Sequence, residues 1–552
     1  MEKERLEALT LDFIRTPSIN GTAGEAALAE RIHGLLAREE YFRRHPEHLR
    51  LAPLPDDGLG RANVLALVRG EAEATAATVV LHGHLDTVGV DDFGELAPWA
   101  FDPPALKERF RTQDLPPDVR AELLSPDWLC GRGSLDMKSG LAVNLGLLID
   151  WARAPGRRRG NLLFMANPVE ENQHTGIIEA LPLLAEWQER YGLNYVAAIN
   201  NDYTTPLYPG DPNHYVYTGT VGKLLPCFYI LGRETHVGQC FEGFDPALLA
   251  AEIARELDLN PALADEAEGE VTLPPAVLKL TDLKRQYTVQ TPGEAFLYCN
   301  YLVHGESVAT TLAKLKQVAE VAFARALGLT RERYQGYVRR TGLPEVELPW
   351  TVRVRTFAEL YAAAQPAAGP ALATRLTTLA RRRVAAGEDK RLVALDIVRE
   401  LALLLPERLP QVVIFFAPPY CPHNFIAREE PAGARVLAAL GRASAAVAAE
   451  TGISIKQRTF FPSLSDSSYL AMHDSDASLA ALRANFPAWD ILFPLPVEAI
   501  RRASIPALNL GTYGKDGHKF TERVYKPYTF GVLPRLLEKA VEELLASGSE
   551  EP

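Results

Sequence analysis

An α/β layered fold, in which a principal domain is interrupted by an inserted second domain, is what the sequence predicts. Three observations predict it. Short β-branched or apolar runs alternate with longer amphipathic ones, the pattern of strands and helices stacked in layers. Four of those runs end abruptly in polar residues that are unusual at a strand end. The texture then changes between Tyr217 and about Pro422, where helical patterns rich in Ala, Leu and Arg dominate. At 552 residues the chain also exceeds what one hydrophobic core usually organises.

The strand-like runs come in order. Thr78-Val79-Val80-Leu81 leads into His82-Gly83-His84, and Asn161 to Ala166 leads into Asn167-Pro168-Val169-Glu170-Glu171. Tyr195 to Ile199 leads into Asn200-Asn201-Asp202, and Pro506 to Leu510 leads into a glycine-rich stretch before His518. In open α/β sheets, ligands bind beyond the carboxyl ends of the strands, so these ends mark the candidate site. A fifth segment, Cys130 to Gly140, precedes a helical pattern from Leu141 to about Ala152. Asp136 therefore sits near a helix N-terminus, where a carboxylate is favoured. The long helical patterns Ser307 to Ala326 and Ala371 to Leu404 belong to the insertion. The expected boundaries are 1–216 for the first part of the principal domain, 217–422 for the insertion and 423–552 for the second part.

With 47% hydrophobic and 23% charged residues, the composition is that of an ordinary globular protein. A net charge of -12 argues against a general phosphate-backbone binder, so no nucleic-acid partner is expected. Arg157-Arg158-Arg159 and Arg381-Arg382-Arg383 read as solvated ends of elements. The five cysteines are scattered without a C-x-x-C pair, which disfavours a disulfide framework and a thiolate zinc site. The charged, helix-periodic N-terminus lacks the apolar core of a signal peptide, and no apolar run reaches the ~18 residues of a membrane span. A cytoplasmic protein without a membrane partner is the expectation.

The strand-end residues carry the chemistry. His84 and Asp86, two residues apart, suit a histidine ligand whose ring is oriented by a carboxylate, with His82 as a competing ligand or a packing residue. Glu170 and Glu171 are adjacent, and a loop can send one to a metal and the other to a water. Hydrolysis needs that division: a metal polarises the carbonyl and acidifies a water, while a carboxylate takes the proton and passes it to the leaving amine. Asp202 closes an apolar run, where a simple Asn/Asp turn is the competing reading. His518 lies among Gly511, Gly514 and Gly517, whose backbone freedom lets the loop wrap closely round a site. Two histidines with Asp136, Glu171 and Asp202 make an oxygen-rich mixed set suited to zinc, cobalt or manganese. With Asp136 as a bridge, each of two metals would have three protein ligands and an open position.

At these residues the sequence resembles the di-zinc aminoacylase, carboxypeptidase G and dipeptidase family of metallohydrolases. Gly83-His84-Leu85-Asp86 is similar to its G-H-x-D motif, and Gly131 to Gly140 to its G-R-G-x-x-D-M-K-G-G motif. Glu170-Glu171 resembles its paired glutamates, Asp202 falls at a further carboxylate position, and Gly517-His518 with Glu522 resembles its closing motif. The resemblance implies a mixed-sheet, zinc-exopeptidase-like α/β/α catalytic domain with an inserted α+β lid or dimerisation domain. It implies Asp136 bridging two zinc ions, His84 and Asp202 on one, Glu171 and His518 on the other, Glu170 as general base and Asp86 orienting His84. It also implies that His236, in Gly232 to Gly238, steadies the oxyanion, from the same chain or across a homodimer.

The chain departs from the family's pattern in three places. The insertion is longer, Tyr298-Cys299-Asn300-Tyr301 stands where an Asp-x-Arg strand is common, and no arginine follows Ser465-Asp466-Ser467-Ser468, where relatives bind a substrate carboxylate. Gln290 to Glu294 and Phe415 to Tyr420 look like the arginine-utilisation branch, which implies N-deacylation of an N-acyl amino acid of the arginine or ornithine type. An aminopeptidase or dipeptidase acting on short peptides is the alternative within the class. A non-catalytic small-molecule binder is the alternative outside it, and Glu170 argues against that reading, because a binder has no need of a base.

Overall fold

A computed structural model describes residues 1–548. The chain forms two compact units. The first comprises Met1–Thr220, Asn424–Met472 and Pro496 onward, and the second Val221–His423 with His473–Leu495. The first crossing thus falls at 220/221 and the return at 423/424, against 216/217 and 422/423 from sequence. His473–Leu495, expected in the catalytic domain, belongs to the second unit instead. The helix Asp476–Ala484 buries Leu479 and Leu482 there, and the Ser478 hydroxyl accepts from the Val308 amide at 3.1 Å. Amphipathic periodicity announces a buried face without naming the partner, so the sequence could not assign this segment.

The first unit is built on an eight-stranded mixed sheet. At its middle lie four adjacent parallel strands, Arg159–Asn167, Glu73–His84, Asn194–Asn200 and Ala507–Asn509. Residues 77 to 84 are buried in unbroken succession, which means both faces are covered, as expected for a parallel sheet. The core draws on Val79 and Leu81 of the sheet, Leu141, Leu145 and Leu148 of the helix Lys138–Arg153, and Leu537 and Val541 of the helix Leu533–Ser547. The helix Pro431–Thr451 has the length and hydropathy of a membrane span. Its face of Val436, Leu440, Ala443 and Val447 nevertheless lies in this same core.

The second unit has its own sheet, ordered Ala276–Asp282, Glu294–Val303, Pro226–Leu231, Gln411–Phe416 and Val354–Thr356, antiparallel except for the last pair. The helix Val308–Thr341 is capped by Ser307, whose hydroxyl accepts from the Thr310 amide, and stops at Gly342 in a left-handed turn. The pattern from Ala371 to Leu404 is two helices, Leu372–Ala385 and Lys390–Leu403. Gly387 takes a φ of +75° between them, and Asp389 caps the second by accepting from the Arg391 amide. The sequence expectation of one unbroken pattern missed that capped restart.

Candidate metal centre

The four central strands run in the same direction, so their C-terminal ends open on one edge of the sheet. His84 is the last residue of its strand. The strand beside it ends at Asn167 and turns into Glu170 and Glu171; the strand on its other side ends at Asn200 and turns into Asp202. The fourth, Ala507–Asn509, feeds the loop that carries His518. Asp136 arrives from the turn before the helix Lys138–Arg153. Close approach of these loops requires missing side chains: a Cβ on Gly511 would lie 1.9 Å from the Asp202 carbonyl oxygen, and one on Gly140 would lie 2.3 Å from that of Asn201.

The side chains converge on Asp136. His84 Nε2 lies 2.9 Å from Asp136 Oδ1, while His518 Nε2 lies 3.0 Å from Asp136 Oδ2 and 3.2 Å from Glu171 Oε1. His84, Asp136 and Asp202 each offer a donor atom within 4.8 Å of the other two, and Asp136, Glu171 and His518 do the same. The two triads share one residue, Asp136, and use its two oxygens in opposite directions. Glu170 stands beside them with Oε2 4.0 Å from His84 Nε2.

The electrostatics suit cations. Among the described residues, none of Asp136, Glu170, Glu171 and Asp202 pairs with a lysine or arginine, although all four carboxylates are largely shielded from water. Buried charge without a counter-charge is costly. Burial and the nearby Asp136 push Asp202 up to about 8, and burial raises Glu170 well above the usual carboxylate range against the pull of His84. Burial opposes protonation of His518, yet hydrogen bonds to Asp136 and Glu171 carry it to about 11. Imidazole nitrogens and carboxylate oxygens around a strongly anionic pocket are the donor set of a divalent transition metal. The residues present fit such a group.

A surrounding frame holds these donors. His84 Nδ1 lies 2.9 Å from the main-chain oxygen of Asp86, which makes it the donor there and leaves Nε2 free for the site. The Asp86 carboxylate, expected to orient His84, is 3.7 Å from that ring and does other work. It accepts from the amides of Glu170 and Glu171, both at 3.0 Å, and from the Asn20 side chain at 2.8 Å. Asp86 therefore sets the histidine through its backbone and the glutamate loop through its side chain.

Three residues at the site have no sequence motif of their own. Glu25, buried on the helix Gly24–Leu36, accepts from the Val169 amide at 2.9 Å. His174 Nδ1 lies 3.0 Å from Asp466 Oδ1 and 3.9 Å from Glu170 Oε1. The i, i+4 spacing of Glu170 and His174 was the single available hint. Val169, His174 and His518 all have φ between 55° and 70°, a region that non-glycine residues rarely adopt and that concentrates at functional loops. His82, the competing ligand, belongs to neither triad and meets the Ser467 hydroxyl at 3.1 Å. Burial pushes it down to about 3, so it stays neutral. His236 lies in the second unit, exposed, at the start of the turn Val237–Glu242, where its Nδ1 accepts from the Gly238 amide at 3.0 Å.

This arrangement has known relatives. The model of Peptidase family M20/M25/M40 matches residues 80–427. The chain belongs to peptidase family M20/M25/M40. The chain is 39% identical to protein RocB of Bacillus subtilis across 99% of this chain and 95% of RocB. It is 26% identical to a succinyl-diaminopimelate desuccinylase of Leptothrix cholodnii across 45% of this chain and 58% of that one. A tripeptidase from Staphylococcus aureus shares the fold, with a TM-score of 0.53 at 13% identity over 99% of both chains. As an M20 member the chain is a metal-dependent hydrolase that cleaves amide bonds.

Proposed function

We propose that this M20 enzyme holds two divalent metal ions and removes the acyl group from an N-acyl amino acid of the arginine or ornithine type. The observation that carries the two-metal reading is the sharing of Asp136 by two donor triads. His84 and Asp202 would complete one ion and Glu171 and His518 the other. Zinc suits this mixed nitrogen and oxygen set, with cobalt or manganese as substitutes. When bound, the ions supply Lewis acidity that polarises the amide carbonyl and acidifies a water.

The protein's own groups do the rest. Glu170 is the proton carrier: its burial favours the protonated form, so a proton taken from water can be held and passed to the leaving nitrogen. Asp86 fixes the backbone on which Glu170 and Glu171 ride. His236 accepts at Nδ1, which puts its own proton on Nε2, the form that can donate to an oxyanion.

The substrate reading rests on the full-length match to RocB, the partial match to a desuccinylase, and the segments Gln290 to Glu294 and Phe415 to Tyr420. A cytoplasmic setting accords with the free thiols of Cys130, Cys227, Cys240 and Cys299. A homodimer through the second unit accords with its edge strand Ala276–Asp282, which exposes Leu278 and Leu280. The test is chelator-stripped protein reloaded with zinc, cobalt or manganese and assayed on N-acetyl-ornithine, N-acyl-arginines and a dipeptide panel. Preferential turnover of dipeptides would replace deacylation with peptidase activity, and no metal-dependent turnover of the N-acyl substrates would end the proposal.

A further inference from the structure

The first unit carries a second group of metal-type donors, far from the one above. His45, Glu47 and His48 lie within one short stretch, His45-Pro46-Glu47-His48, and each offers a donor atom within 4.8 Å of the other two. Glu47 Oε1 is the meeting point, 3.4 Å from His45 Nδ1 and 3.9 Å from His48 Nε2. Ligands held at zinc's bond lengths in a tetrahedral site sit about 3.4 Å apart. The first distance already matches, and the exposed Glu47 side chain can close the second.

The stretch is held in place by a frame that a plain surface cluster lacks. His48 is buried, with its Nδ1 3.1 Å from the Tyr41 hydroxyl, and that hydroxyl is fixed in turn by the Arg69 amide at 2.9 Å. A hydrogen bond on the far nitrogen orients a ligating imidazole and leaves the near one for a metal. The Tyr191 hydroxyl donates to the Glu47 carbonyl at 2.8 Å, and its ring meets the His48 ring edge-on at 5.1 Å. The His45 and His48 rings stack at 5.2 Å with both toward Glu47.

We propose that His45, Glu47 and His48 form a third metal site, selective for zinc-like divalent transition metals, with its fourth position open to water. It lies at the opposite end of the helix Thr175–Tyr191 from the catalytic loop. Tyr191 closes that helix where the site sits, whereas Glu170, Glu171 and His174 precede its first turn. Seventeen residues span about 25 Å. The negative end of the helix dipole also falls at Tyr191, on the side that favours a cation.

The experiment counts zinc equivalents bound at micromolar zinc by chelator-stripped full-length protein. His45→Ala, at a half-buried position, and Glu47→Gln, at an exposed one, should each lose one equivalent relative to the parent, with turnover within twofold of it. In the Asp136→Asn protein, cobalt added alone should still produce the visible band of a four-coordinate ion, and adding His45→Ala should remove that band. Unchanged zinc equivalents in both single variants, or no cobalt band in Asp136→Asn, would overturn the proposal. Neither outcome depends on the catalytic reading, because zinc equivalents and the cobalt band are both read without turnover.

Discussion

Arg132 and Glu522 are 390 positions apart in the chain, yet Arg132 Nη1 donates to Glu522 Oε2 at 2.7 Å with both side chains sealed from water. The other Glu522 oxygen accepts from the amides of Leu135 and Asp136, at 3.0 and 3.2 Å. One carboxylate thus ties the glycine-rich turn before the helix Lys138–Arg153 to the loop of His518. Glu522→Ala leaves the Arg132 guanidinium buried with Asp92 as its remaining acidic partner, and a stability loss of ~3–5 kcal/mol is expected. Urea unfolding measures it, and metal content should fall in the same variant because Asp136 loses its anchor.

Asp136 is the residue that both donor triads need. Asp136→Asn should lower the content of both catalytic metals, whereas Asp202→Asn should lower one. Metal analysis after dialysis distinguishes the two, and equal losses in both variants would contradict the bridging role.

Glu170 touches the site without belonging to either triad centred on Asp136. Glu170→Gln is expected to keep both metals and lose roughly a hundred- to ten-thousandfold in kcat. Steady-state assays on the reloaded protein check this, and near-parental turnover would remove Glu170 as the base.

The Asp86 carboxylate holds the amides of both glutamates. An amide side chain in its place offers one acceptor oxygen instead of two, so Asp86→Asn should weaken metal binding by about 10- to 100-fold while leaving the fold intact. Competition with a chelator of known affinity gives the number.

His214 stacks on Tyr528 at 4.1 Å, and burial, only partly offset by Asp211, pushes it down to about 4. Its unfolded value lies near ~6.5. Between the two, the unfolded chain takes up a proton that the folded chain refuses, so stability present above ~6.5 is lost as the pH falls toward about 4. His214→Phe keeps the stack and removes the titration. Its urea midpoint, measured with a chelator present, should move less between pH ~7.5 and ~4.5 than that of the parent.

By itself the sequence determined the α/β class and the four strand ends, and it singled out His84, Asp136, Glu171, Asp202 and His518, which the fold brings together. It could do so because hydrophobic periodicity is local and because a polar residue ending an apolar run is visible in one dimension. Tertiary structure alone decided three things. It chose the main-chain oxygen of Asp86 over its carboxylate as the partner of His84. It brought Glu25, His174 and Asp466 to the glutamate loop, the last from 292 positions beyond His174. It moved His473–Leu495 into the second unit. Each depends on which buried faces and hydrogen-bond donors meet after the chain has closed, and no run of neighbouring residues encodes the partner on the other side.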